Sequence, residues 1–202
     1  MTSTPHSFSF FDRAQRMPLR TSARVMVVVD FINPIRFPGA ENLVKSAYLA
    51  ARATLALKRR LAKNGVAVIY ANDNYGIWRS EFRGLLKECK ALPGLRGEIA
   101  TMLAPDEDDL TILKPLHSAF LGTPLDHLLK EMKAKELILV GLSADICVHL
   151  TAMDAYMRGY KLWVPADCIA AESSESKAAA LRHMSTVLKC SVRKSTGRIE
   201  RR

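Results

Sequence analysis

The run RVMVVVD, with its apolar core Val25–Val29 ending at Asp30, constrains the fold most. It is continuous, apolar and mostly β-branched, with no polar residue at alternate positions. Such runs are strands buried on both faces, as inside a parallel sheet. Further runs follow the same rule. Val66–Ala71 ends at Asn72–Asp73–Asn74, Leu110–Leu113 at Lys114, Glu136–Val140 at Gly141, and Lys161–Pro165 at Ala166–Asp167; Thr186–Ser191 is expected as a sixth strand. Helical stretches lie between them: Leu43–Lys63 closed by Asn64–Gly65, Ser80–Lys90, a short one near Gly97–Leu103, one from Pro124 to about Lys133, Ala144–Arg158 closed by Gly159, and one from an N-cap at Ser173 to about Met184. Strands alternating with helices predict βαβ units with right-handed crossovers.

In such a sheet the strand C-termini share one rim, where open α/β proteins keep their ligand crevice. Asp30 and Lys114 end their strands, and Cys147 falls in the first turn of the helix after the fourth. A helix N-terminus offers free N–H groups and a positive dipole end, which eases thiolate formation. The three side chains suit acyl transfer to cysteine. Asp30 takes the thiol proton and returns it to a leaving amine, Lys114 steadies both anions, and backbone N–H groups of Ser143 and Cys147 receive the oxyanion. Each residue also has a plainer reading: Asp30 as a loop cap, Lys114 as a solvated strand end, Cys147 as a small core residue. His149 follows Cys147 by two positions, so a helix turns it away from that thiol. His117 either lines the pocket or caps a turn.

Composition narrows the field. At 202 residues, 49% hydrophobic and 25% charged, the chain is expected to form one globular domain without disulfide staples. Its four cysteines, Cys89, Cys147, Cys168 and Cys190, lack CxxC spacing and read as free thiols in a reducing cytoplasm. No apolar run reaches membrane-span length, and the N-terminal order is not that of a signal peptide, so no membrane partner is expected. Of the net charge of +10, residues 193–202 carry +4 and residues 1–24 carry +3. The basic character therefore reads as an arm at 1–22 and a tail at 193–202 flanking a domain at 23–192, and nucleic acid is not an expected partner. The histidines show no HxH or HExxH spacing, and GxGxxG and GxxxxGK[ST] loops are absent, so neither a metal nor a nucleotide cofactor is expected.

Three stretches, VVVDFINPI, KPLHSAFLGTPLDHLL and GLSADICVHLTAMDAYMRGY, resemble in order and spacing the aspartate, lysine and cysteine motifs of the isochorismatase-like cysteine hydrolases, which include nicotinamidases and N-carbamoylsarcosine amidase. The resemblance spans residues 24–190. It implies a three-layer α/β/α fold with a six-stranded parallel sheet, Asp30, Lys114 and Cys147 as catalytic residues, a cis Leu142–Ser143 peptide and a homo-oligomer, either dimer or tetramer. The motif's usual glutamine is Ile32 here, and the segment NDNYGIWRSEF offers Asp73 but none of the histidines with which nicotinamidases hold a metal. The expected reaction is hydrolysis of a C–N bond in a small amide, carbamoyl or ureido compound. The alternatives are isochorismate-type vinyl ether hydrolysis and a catalytically silent binding or scaffold role. Substrate contacts are expected from the loops: Phe31, Asn33 and Phe37, then Asn74, Tyr75, Trp78 and Arg79, then His117 and Phe120. For Tyr75 and Trp78 packing between subunits is the competing reading.

Overall fold

The structure is a computed structural model that describes residues 19–197. Most of the expected arm, residues 1–18, and the end of the expected tail, residues 198–202, lie outside the described residues. Strand β1 (Arg24–Val29) lies at the centre, paired in parallel with β2 (Ala67–Asp73) on one side and β4 (Glu136–Leu142) on the other. β3 (Leu110–Lys114) adds outside β2. β5 (Lys161–Trp163) runs beside the first half of β4, and β6 (Ile169–Ala170) beside its end. The order is β3-β2-β1-β4-β5 with β6 on β4, six strands in all.

Val25 to Val29 are each 0% exposed, which explains why β1 shows no alternation of polarity. Its side chains still alternate between two faces. Val25, Val27 and Val29 pack with Leu125 and Leu129 of α4 (Leu125–Glu131), Val148, Ala152 and Ala155 of α5 (Cys147–Met157), and Ala180 and Met184 of α6 (Ser174–Thr186). Met26 and Val28 pack with Leu43, Ala47, Leu57 and Leu61 of α1 (Ala40–Ala62), Phe82 and Cys89 of α2 (Phe82–Lys90), and Ile99 and Ala100 of α3 (Leu95–Met102). The result is the expected three-layer α/β/α arrangement.

The sixth strand is not where the sequence put it. Helix α6 continues through Thr186, Lys189 adopts a left-handed backbone (φ 54°), and in Thr186–Ser191 only Ser191 joins the sheet, as an isolated bridge to Trp163. Leu188 and Cys190 are buried, so the segment is a turn packed on the core. Helix α5 likewise starts at Cys147 and not at Ala144: Ile146 has a non-helical backbone (φ −120°, ψ −89°), and the Ala144 N–H before it is tied to the Ala170 carbonyl of β6 at 2.7 Å. Gly141 lies where β4 passes β1. Its φ is +135°, and a Cβ there would stand 1.9 Å from the Val29 carbonyl oxygen.

Two polar ties complete the body. Lys58 of α1 is buried and donates to Asp109 at 2.5 Å, just before β3, and to the Tyr70 hydroxyl at 3.2 Å; Asp106 lies 2.9 Å away. At the other end of the chain, the Ser195 N–H and hydroxyl both donate to Asp167 at 2.7 Å, and the Trp163 indole N–H donates to the Arg193 carbonyl at 2.9 Å.

Candidate active site

Asp30 leaves β1 with a left-handed backbone (φ 49°). Its Oδ1 accepts the Asp73 N–H at 2.7 Å, and its Oδ2 pairs with Lys114 Nζ at 2.8 Å. Lys114 comes from β3, two strands away, and its Nζ lies 3.7 Å from Asp73 Oδ2 at the end of the intervening strand. The Lys114 side chain is 0% exposed and that of Asp30 5%. Lys114 Nζ also lies 3.6 Å from Cys147 Sγ at the start of α5. The structure therefore brings together residues 30, 114 and 147, all at one rim. His117 joins them from the loop after β3, with Nδ1 3.7 Å from the same sulfur.

The electrostatics of the cluster are set first by burial. Desolvation raises the Asp30 pKa, with Lys114 opposing it. Desolvation works to lower the Lys114 pKa, but Asp30, then Cys147 and Asp73, outweigh it and leave it raised. Burial pushes the Cys147 thiol up to about 12; the Asp30 charge adds to this and Lys114 opposes it. A helix N-terminus by itself eases thiolate formation; in the folded chain burial, then the adjacent carboxylate, push the Cys147 thiol the other way. A protonated thiol beside a carboxylate of raised basicity is arranged for proton transfer at the moment of attack. The Tyr75 hydroxyl is raised too, by burial and by Asp30, Cys89, Asp73 and Cys147, although the residue as a whole is 45% exposed.

Ser143 and Cys147 flank the turn into α5. The Ser143 carbonyl accepts the N–H groups of Ile146 and Val148, leaving the Cys147 N–H between them at the helix N-terminus. The Leu142–Ser143 peptide is cis. The Ser143 hydroxyl donates to Asp145. His149 turns away from the sulfur and meets His183 of α6, ring nitrogens 2.8 Å apart.

The loop residues divide into two groups. Tyr75, Trp78, Arg79 and Phe37 are exposed, Trp78 at 80%. Phe31 is buried in the α1-side core. Phe120 is buried against Tyr160 and capped by the Arg158 guanidinium at 4.6 Å, so it serves packing on the α5 side. Asn33 accepts the Ile35 N–H at 2.6 Å and Asn74 accepts the Gly76 N–H at 2.8 Å, each bracing its own turn. Sequence reasoning missed the role of Asp73 as the amide donor to Asp30, and missed Thr151 and Asp154. The hydroxyl of Thr151 accepts the Ala119 N–H at 3.0 Å, and the carboxylate of Asp154 accepts the Ser118 hydroxyl at 2.5 Å. The spacing of Thr151 and Asp154 from Cys147, one and two helical turns, was the available signal.

The residues do not fit a metal beside this cluster. Asp73 is engaged by the Tyr75 N–H at 2.6 Å and faces the Lys114 ammonium, and no histidine stands between Asn72 and Phe82. A cation would have to share a carboxylate with a buried ammonium, a like charge.

A parallel sheet covered on both faces, with carboxylate, ammonium and thiol meeting at its C-terminal rim, marks a defined class of α/β proteins. Residues 24–192 match the Isochorismatase domain, and the chain belongs to the isochorismatase family of hydrolases. It is 38% identical over 165 residues to an uncharacterized isochorismatase family protein, YaaI, of Bacillus subtilis (strain 168), covering 82% of this chain and 90% of that protein. It superimposes on the nicotinamidase SaPncA from Staphylococcus aureus with a TM-score of 0.66 at 25% identity, covering 86% of this chain and 98% of that one. It shares its fold with N-carbamoylsarcosine amidase from Thermoplasma acidophilum, at a TM-score of 0.65 and 24% identity, over 88% of this chain and 99% of that one.

Proposed function

We propose that the protein is a cysteine amidohydrolase acting on a small amide, carbamoyl or ureido compound. Cys147 Sγ attacks the carbonyl carbon while its proton passes to Asp30. Asp30 delivers that proton to the nitrogen as the C–N bond breaks, the amine or ammonia departs, and water hydrolyses the thioester. Lys114 balances the charge on Asp30 and on sulfur, and the N–H groups at Ser143 and Cys147 receive the oxyanion. The observation that carries the reading is the wholly buried Lys114 Nζ, 2.8 Å from Asp30 and 3.6 Å from Cys147. A buried ammonium is costly unless paired, and this one is spent on holding a carboxylate beside a thiol.

Phe37, Tyr75, Trp78 and Arg79 are exposed on the loops that follow β1 and β2, and as substrate contacts they would suit a small flat or carboxylated amide. The absence of histidines between Asn72 and Phe82 argues against nicotinamide itself. Free cysteines support a reducing, cytoplasmic setting, and a homo-oligomer is the expected assembly. A screen of small amides, carbamoyl and ureido compounds for ammonia release tests the proposal, with Cys147→Ala as control; unchanged turnover in that variant would sink it. Asp30, buried and of raised pKa, is also suited to protonate a vinyl ether. Full activity of Cys147→Ala on isochorismate would therefore install that second reading in place of the first.

A further inference from the structure

We propose that His117 is a further catalytic residue of this site: the base that activates water to hydrolyse the Cys147 thioester. This rests on the thioester reading given above and assigns its second half-reaction to a different residue from the first. Cys147 stands between two environments. On the inner side are Lys114 and Asp30, with side chains 0% and 5% exposed. On the outer side is His117, an exposed residue with Nδ1 3.7 Å from Sγ. On that inner side Asp30 is held by the Asp73 N–H on Oδ1 and the Lys114 ammonium on Oδ2. Water arrives at an acylated sulfur from solvent, and the basic nitrogen on that side is the imidazole.

The placement of His117 is fixed by the helix that carries the thiol. The residues that follow it, Ser118 and Ala119, are hydrogen-bonded to Asp154 and Thr151 of α5. The Thr123 hydroxyl closes the same loop by donating to the Ala119 carbonyl at 2.6 Å. The imidazole and the sulfur are therefore referenced to one rigid element, as a proton acceptor and the bond it helps to cleave must be.

The step balances without a further reactant. As the water oxygen bonds to the thioester carbonyl carbon, one of its protons passes to His117. The tetrahedral intermediate then collapses, the C–S bond breaks, and sulfur leaves with the electron pair. The proton on His117 returns to that sulfur, giving a carboxylic acid and the resting thiol. Asp30 and Lys114 serve acylation; His117 serves deacylation.

An activated ester, 4-nitrophenyl acetate, tests this on the full chain without knowledge of the natural substrate. Acylation of Cys147 appears as a burst of 4-nitrophenolate and deacylation as the slope that follows. In His117→Gln the burst is expected to persist while the slope falls about 100-fold, the scale of one general base, and acetylated Cys147 accumulates by intact-mass analysis. In His117→Gly, added imidazole restores the slope, which a purely structural role would not allow. A slope equal to that of the unaltered protein overturns the proposal, as does a joint loss of burst and slope that imidazole does not rescue. Cys147→Ala in the same assay separates the two ideas: no burst there keeps the thioester reading whatever His117 does, and a full burst removes that reading and this proposal together.

Discussion

Replacing Lys114 by methionine keeps most of the side-chain volume and removes the charge. In the folded chain Lys114 Nζ lies 2.8 Å from Asp30 Oδ2, with both side chains almost wholly shielded. Their attraction is therefore far less screened than at a surface. Without the ammonium, Asp30 keeps the Asp73 N–H at 2.7 Å and the Cys147 thiol, both uncharged donors. Removing one partner of a buried pair costs about 3–5 kcal/mol. With a urea m-value of about 2–3 kcal/mol/M, the midpoint at neutral pH should fall by about 1–2.5 M. Asp30→Asn in the same chain should recover about half of this, since no orphaned charge is left, so the two substitutions are strongly non-additive. The pH dependence follows from sign. Burial raises the Asp30 pKa above its ordinary 3.8 and Lys114 opposes that rise. A carboxyl whose folded pKa is raised subtracts stability as pH climbs above the unfolded value. The Lys114→Met deficit should therefore be small in acid, where the carboxyl is neutral, and grow with pH. Full stability in Lys114→Met, or simple additivity with Asp30→Asn, would refute the reasoning.

Iodoacetamide should label Cys147 before the other thiols, since Cys89, Cys168 and Cys190 are 1%, 0% and 5% exposed, and its rate should climb as pH approaches about 12. Asp30→Asn should shift that labelling curve to lower pH, because the Asp30 charge and hydrogen bond hold the thiol up, while turnover is lost; an unmoved curve removes Asp30 from the thiol's surroundings. Lys58→Met should cost about 3 kcal/mol in urea unfolding by orphaning Asp109, whose side chain is 8% exposed, whereas Asp106→Ala, at an 80% exposed partner, should stay within about 0.5 kcal/mol. Gly141→Ala should prevent recovery of folded protein or lower its thermal midpoint steeply, since its Cβ would meet the Val29 carbonyl oxygen at 1.9 Å; an unaltered midpoint would show that β1 and β4 can separate there.

Much of this architecture is written in the order of residues. Val25–Val29 had to be covered on both faces, and once the strands run parallel their C-terminal ends share an edge. That alone puts Asp30, Lys114 and the start of the cysteine helix at one rim. The motif resemblance added the cis Leu142–Ser143 bond, which the structure contains. Other features depended on neighbours. Ile169–Ala170 becomes a strand because β5 leaves the end of β4 unpaired, while the longer run Thr186–Ser191 finds a single bridge. Phe31 follows Asp30 and Phe120 lies in the loop after Lys114, yet both turn into the core. For His117 the sequence allows either a pocket wall or a turn cap; the ties of Ser118 and Ala119 to α5 accompany an imidazole 3.7 Å from Cys147 Sγ. The thiol's acidity was misjudged from its helix position because burial and the Asp30 charge outweigh a helix terminus. Periodicity is a property of the chain and survives in one dimension. Distances of 2.8 Å and 3.6 Å around one ammonium depend on which side chains reach across which strands, and only packing decides that.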